Sequence, residues 1–234
     1  MDPISAGTVG TVISLAVGCG KDLATFISNA KDVDANVKAL YDEVGALERT
    51  SRAVEATLER GELDAFQDAA LWDDSRASLA ASAASLRSLR ADIGGIRSAK
   101  DKDKPMNDFR KTITQFKLNM KEDQIRKHRD QLHSHRLGLL AIVQMVAVHV
   151  SATGPSIILD HLAPRIQLLE RSVALIQESN SRIEHRLADG IDQNDSIMLR
   201  VNKRVVRTAQ SLLHGVASTI ADDARYVYSL PLRV

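Results

Sequence analysis

The sequence predicts an all-α protein, a helical bundle of about five to seven helices with long amphipathic helices, on three observations. Apolar residues recur at steps of three and four in nearly every long segment, and no stretch sustains the period-two alternation of a half-buried strand. Only five of the 234 residues are proline, so few positions bar a helix. Aromatic residues are 3% of the chain, which leaves Leu, Ile, Val and Ala to build the core. A chain of this length can bury one sizeable core. The pattern divides it into a bundle over residues 1–190 and a C-terminal helix with an extended tail over 191–234, packed on or appended to the bundle.

The first element is an uncharged run of eighteen residues from Pro3 to Gly20. Small residues at Ala6, Gly10, Ser14 and Gly18 recur every fourth position, so they share one face on which another helix can approach closely. The opposite side is aliphatic, with Val9, Val12, Ile13, Ala16 and Val17. As a helix the run is about 27 Å long, just short of a hydrocarbon core of about 30 Å. It reads as a core helix in the resting protein that is also a marginal membrane segment, too weak as a single span because of its four glycines. Asp2 in place of a basic start, and Lys21 and Asp22 where cleavage would be wanted, argue against a signal peptide.

The next stripe runs through Val37, Leu40, Val44, Leu47, Ser51, Val54 and Leu58, with Gly61 as its stop and Asp64 as a cap for the following helix. Leu79, Ser82, Leu86, Leu89, Ile93 and Ile96 form a third stripe in an alanine- and serine-rich segment, weakened at its end by Gly94 and Gly95. Lys100 to Lys104, followed by Pro105, reads as a linker. Phe109, Ile113, Phe116 and Met120 mark a short helix. A longer one follows from about Glu122, with Ile125, His128, Leu132, His135, Leu139, Ile142, Val146 and His149 on one stripe and Gly154-Pro155 as its stop. Leu137 to Leu159 is a second uncharged run, read as a buried helix end because His149 and the Gly-Pro pair interrupt it. Ile166, Leu169, Val173, Ile176, Asn180 and Ile183 make the most regular stripe, in which Asn180 would fix register if the helix pairs as a coiled coil. Met198, Val201, Val205, Ala209, Leu212, Val216 and Ile220 carry a last helix, and Tyr226 to Val234 read as an extended tail.

Thirty-one basic and 30 acidic residues nearly cancel, so the chain lacks the charge excess of a nucleic-acid binder. The charge is unevenly placed. Residues 105–150 carry eight basic and four acidic side chains, with Lys117, Lys121, Arg126, Lys127 and Arg129 forming a basic face suited to acidic neighbours or to anionic headgroups. The single cysteine, Cys19, excludes an intrachain disulfide, fits a reducing compartment such as the cytoplasm, and reads as a buried inert thiol.

No local pattern supplies catalysis or a cofactor. Gly18-Cys19-Gly20-Lys21 has Leu15 and Asp22 where a Walker A loop needs glycine and Ser or Thr, so nucleotide binding is not expected. His128 and His135 are seven residues and about 10 Å apart on a helix, which prevents them from sharing a zinc ion. They predict a polar layer titrating near neutral pH. Asp189, Asp192, Asn194 and Asp195 lack the spacing and closing glutamate of a calcium loop and read as a solvated turn. The expectation is a protein that is not an enzyme and uses no metal or cofactor.

The opening Met1-Asp2-Pro3, the small and aliphatic first helix, Lys31-Asp32 and the stripe from Leu40 to Leu47 resemble the N-terminal helices of fungal HeLo-like domains, which head many STAND-type immune receptors. Phe116-Lys117, Ile125 and His135-Arg136 are similar to that family's later region, and the likeness covers roughly residues 1–190. The resemblance implies a helical bundle whose first helix permeabilises membranes in regulated cell death when exposed, or which signals by oligomerising. The residues expected to insert or associate are Ile4, Ala6, Val9, Gly10, Val12, Ile13, Ser14, Val17 and Gly18. The expected partners are a second copy or another helical protein, and an anionic membrane on activation. The rival reading is an interaction module without membrane activity, in which the stripes beginning at Ile125 and Ile166 pair with a partner helix.

Overall fold

The computed structural model describes residues 6–28, 35–59, 69–98, 122–153, 159–190 and 193–229. These form six helices and no strand: α1 (Ala6–Ser28), α2 (Ala35–Glu59), α3 (Ala69–Ser98), α4 (Glu122–Thr153), α5 (Leu159–Asp189) and α6 (Gln193–Ser229). The protein is an all-α helical bundle. The Lys100–Lys104 linker, the Phe109–Met120 helix, and the stops and caps assigned to Gly61, Asp64 and Gly154-Pro155 lie outside the described residues.

Two boundaries differ from expectation. Helix α1 continues eight residues past Gly20, because Lys21 stays in solvent while Asp22 meets Arg90 of α3, 3.6 Å away, so neither charge has to be buried unpaired. Residues 226–229, expected to be extended, close the last turn of α6. Gly94 and Gly95 lie in the last turns of α3, which ends at Ser98. Acidic side chains open α4 (Glu122 and Asp123) and α6 (Asp195), where they face the positive end of the helix dipole, and Arg186 sits in the last turn of α5.

Polar pairs fix the directions of the helices. His128 meets Asp92 and His135 meets Ser85, so α4 runs antiparallel to α3. Asn36 reaches Glu122 and Glu43 reaches His133, so α2 and α4 are parallel. Gln131 bonds Asp195 and Ser134 bonds Asn202, which makes α6 parallel to α4 as well. Helix α5 returns antiparallel to α4, with Arg186 at Asp130 and Arg165 at the Ala147 carbonyl.

Helix α1 packs on α2 and α3, α2 on α4, and α6 on α3, α4 and α5. Helices α3 and α4 are therefore shared by two four-helix cells. The first cell is filled by Val9, Val12, Ala16 and Leu23 of α1, Leu40, Val44 and Leu47 of α2, Leu79, Leu86 and Leu89 of α3, and Ile125, Leu132 and Leu139 of α4. The second holds Leu137, Ala141, Met145 and Val148 of α4 with Leu162, Leu169 and Ile176 of α5 and Val201, Val205 and Ala209 of α6. Each fully buried leucine or valine among them stabilises the fold by about 1.5–3 kcal/mol relative to an exposed one. Two apolar stripes on one helix make α4 the spine of the molecule.

Candidate functional site: the first helix and a buried polar seam

The aliphatic side of α1 is the side that packs. Val9, Val12 and Ala16 have no exposure and Ile13 only 8%, while Val17 is half-buried against the same core. The small-residue edge turns the other way. Ser14 is exposed, and a Cβ added at Gly10 would meet nothing within 4 Å among the described residues. A Cβ at Gly18 would touch the guanidinium of Arg90 at 3.4 Å. Aliphatic burial removes more apolar surface from water than the thin glycine edge could, which decides the rotation of the helix. Ile4 lies outside the described residues, as does the side chain of Ala6.

One helix among the described residues is long and apolar enough to cross a membrane by length and composition, and it is α4 rather than α1. Half of that stretch is buried within the bundle, as a core helix requires.

Cys19 lies on the buried side of α1, where its thiol donates to the Leu86 carbonyl of α3 at 3.4 Å. Burial pushes the thiol up to about 11, against the pull of Arg90 and with a small push from Asp22. At pH 8 the native thiol therefore reacts slowly with iodoacetamide. Its rate should approach that of unfolded protein only when α1 leaves α3, a time course readable by mass spectrometry.

Of the basic face, Lys117 and Lys121 lie outside the described residues. Arg126 pairs with Glu122 at 2.9 Å and Arg129 with Asp130 at 3.0 Å, while Lys127 is exposed. Arg136, behind them, joins His133 on Glu43. Burial alone would raise the Glu43 carboxyl, but hydrogen bonds from His133 and Arg136 and the Arg136 charge outweigh it and hold it below its ordinary value. The described part of this face is thus largely matched by acidic neighbours.

The α5 stripe is consumed inside the molecule. Leu169, Val173, Ile176, Asn180 and Ile183 are buried and Ile166 is half-buried, all against the bundle's own helices. Asn180 fixes register, but within the chain. Its Oδ1 accepts from Asn202 Nδ2 of α6 at 3.1 Å, and the same amide donates to Ser134 Oγ of α4 at 2.8 Å. A Cβ at Gly138 would lie 3.2 Å from Asn202 Oδ1, so the glycine is what lets α4 and Asn202 come this close.

These groups belong to a polar seam through the second cell. Asp195 accepts from Arg186 Nε at 3.1 Å, Arg186 Nη2 at 3.3 Å and Gln131 Nε2 at 3.2 Å. His135, 1% exposed, lies 3.4 Å from Ser85 Oγ. Burial pushes its imidazole down to about 4, with the Asp195 charge opposing, so it is neutral at pH 7 rather than titrating there. Asp195 was expected in a solvated turn and is 1% exposed, because the guanidinium of Arg186 follows it inward. Of the remaining acidic-turn residues, Asp192 lies outside the described residues.

Sequence reasoning missed Gln131, Ser134, Arg186, Asp195 and Asn202. A signal existed only for the polar residues on stripe positions, Asn202 beside Val201 and Gln131 beside Leu132. The space lined by Ser78, Ala81, His135, Ile197, Met198, Val201 and Asn202 has no room for a water molecule. No group of three His, Cys, Asp or Glu side chains that could hold a metal occurs among the described residues. Compared with models of protein families, with curated proteins and with solved structures, the chain matches none.

Proposed function

We propose that this protein is a non-enzymatic helical effector of the HeLo-like kind, in which α1 is a stored element and its displacement generates the active form. The observation that carries the reading is the position of α1. It sits at the edge of the first cell on α2 and α3, while the second cell is built without it. Leaving the bundle would uncover Val9, Val12, Ile13 and Ala16 together, and several copies could bury these aliphatic faces among lipids while joining through Gly10, Ser14 and Gly18. The interaction-module reading has less support. It requires the Ile125 and Ile166 stripes as free surfaces, and both are occupied within the chain.

Gly10→Glu separates folding from insertion. The position is open in the bundle, and replacing glycine inside a helix favours the helix by a few tenths to about 1 kcal/mol, so thermal stability should be kept or raised. A glutamate at the centre of an inserting helix costs several kcal/mol, so dye release from phosphatidylserine-containing liposomes should be lost. Leakage by the variant equal to wild type, or none from oligomerised wild type, would defeat the proposal.

A further inference from the structure

A second basic surface, apart from the α4 face that the sequence singles out, is the outer face of α6. Between Asp195 and Asp222 the chain has no acidic residue, yet it carries Arg200, Lys203, Arg204 and Arg207 within eight positions, all exposed on one solvent-facing side of the helix. Arg200 and Arg207 are seven residues apart, about 10 Å along the axis, and make no ion pair among the described residues. Lys203 has a carboxylate partner on the neighbouring α5, which leaves Arg200 and Arg207 as the cations without an ion pair among the described residues. Glu184 takes Lys203 at 2.7 Å with both side chains about half exposed, and Glu178 is held by Arg182 on its own helix at 3.7 Å. On α4, by contrast, Arg126, Arg129 and Arg136 each have a carboxylate partner.

We propose that this α6 face docks the protein on an anionic bilayer, resting on the membrane reading above and adding the face by which the bundle approaches. Charge complementarity selects the occupant. A protein partner needs an apolar centre to dry the interface, and the large exposed hydrophobic residues among the described side chains are Tyr41 on α2 and Leu168 and Leu175 on α5, with none on α6 between residues 195 and 221. A nucleic acid would meet only four cations, within a chain whose charges nearly cancel. A hydrated headgroup layer asks only for clustered cations on a rigid support, and each basic residue near such a surface strengthens binding about fivefold.

The test is flotation of the full chain with phosphatidylcholine vesicles containing or lacking phosphatidylserine, with poly-glutamate and a DNA duplex as alternative anions. Wild type should float with the anionic vesicles alone and detach at high salt. Arg200→Gln with Arg207→Gln should weaken partitioning about 25-fold with an unchanged melting temperature, since both side chains are solvent-facing, whereas Arg126→Gln should leave it near wild type. Absence of wild-type binding, loss on Arg126→Gln with the α6 variant unaffected, or tighter capture by poly-glutamate or duplex would overturn the docking face. Dye release keeps the two proposals apart. Flotation without leakage supports the face and ends the permeabilisation reading, and leakage that survives the α6 substitutions does the reverse.

Discussion

Asp195→Ala is expected to destabilise the protein by about 3 kcal/mol, measured as the shift in urea midpoint at constant slope. The carboxylate is 2% exposed and accepts hydrogen bonds from Arg186 Nε and Nη2 and from Gln131 Nε2. Removing it strands the Gln131 amide, whose residue is 3% exposed, and leaves a guanidinium about three-quarters buried with only the longer contact to Asp130 at 3.4 Å. An unpaired buried charge and an unsatisfied amide each cost more than the bonds are worth net. Replacing both ends, Arg186→Met with Asp195→Leu, should recover much of the loss because no charge then remains to be solvated. A single-variant cost below 1 kcal/mol would show that the contacts to Arg186 and Gln131 do not persist in solution.

Acidification from pH 6.5 to 4 is expected to remove on the order of 3 kcal/mol of stability through His135. Its folded value of about 4 lies below the ordinary 6.5, so within that window the unfolded chain binds a proton that the folded chain refuses. Each pH unit then costs about 1.4 kcal/mol, and the loss levels off below the folded value. Glu43 acts in a lower window. Its folded value is depressed below 4.5, so its contribution is complete above that pH and is lost only as the pH falls further. His135→Leu should therefore flatten the stability profile between pH 6.5 and 4 while leaving the steeper fall at lower pH. An identical slope in wild type and variant would assign the acid sensitivity to other groups.

How much of this was legible beforehand differs between the helices and their contacts. Every described helix was announced by three- and four-residue spacing, because burying one stripe of a 3.6-residue repeat needs only local order in the sequence. The α5 stripe shows the limit. Ile176 and Asn180 were read correctly as inward-facing, yet the sequence could not say whether the partner was a second chain or this chain's own α4 and α6. Gly10 and Ser14 show another: a small-residue edge and an aliphatic face are both visible, but which one packs depends on the area its neighbours offer. His135 was placed in a polar layer and given the wrong protonation, since desolvation is set by residues far away in sequence, such as Ser85 of α3 and Asn202 of α6.

The sequence by itself determined an all-α chain, the order of its amphipathic helices and the residues that had to be buried, because periodicity and composition act over a few turns. The tertiary structure decided that α4 is shared by two cells, that Asp195 and Asn202 lie inside, and that Arg200 and Arg207 stand exposed on α6 while Arg126, Arg129 and Arg136 of α4 are paired. Solvation and charge pairing are properties of the space between helices, and that space exists only once they have met.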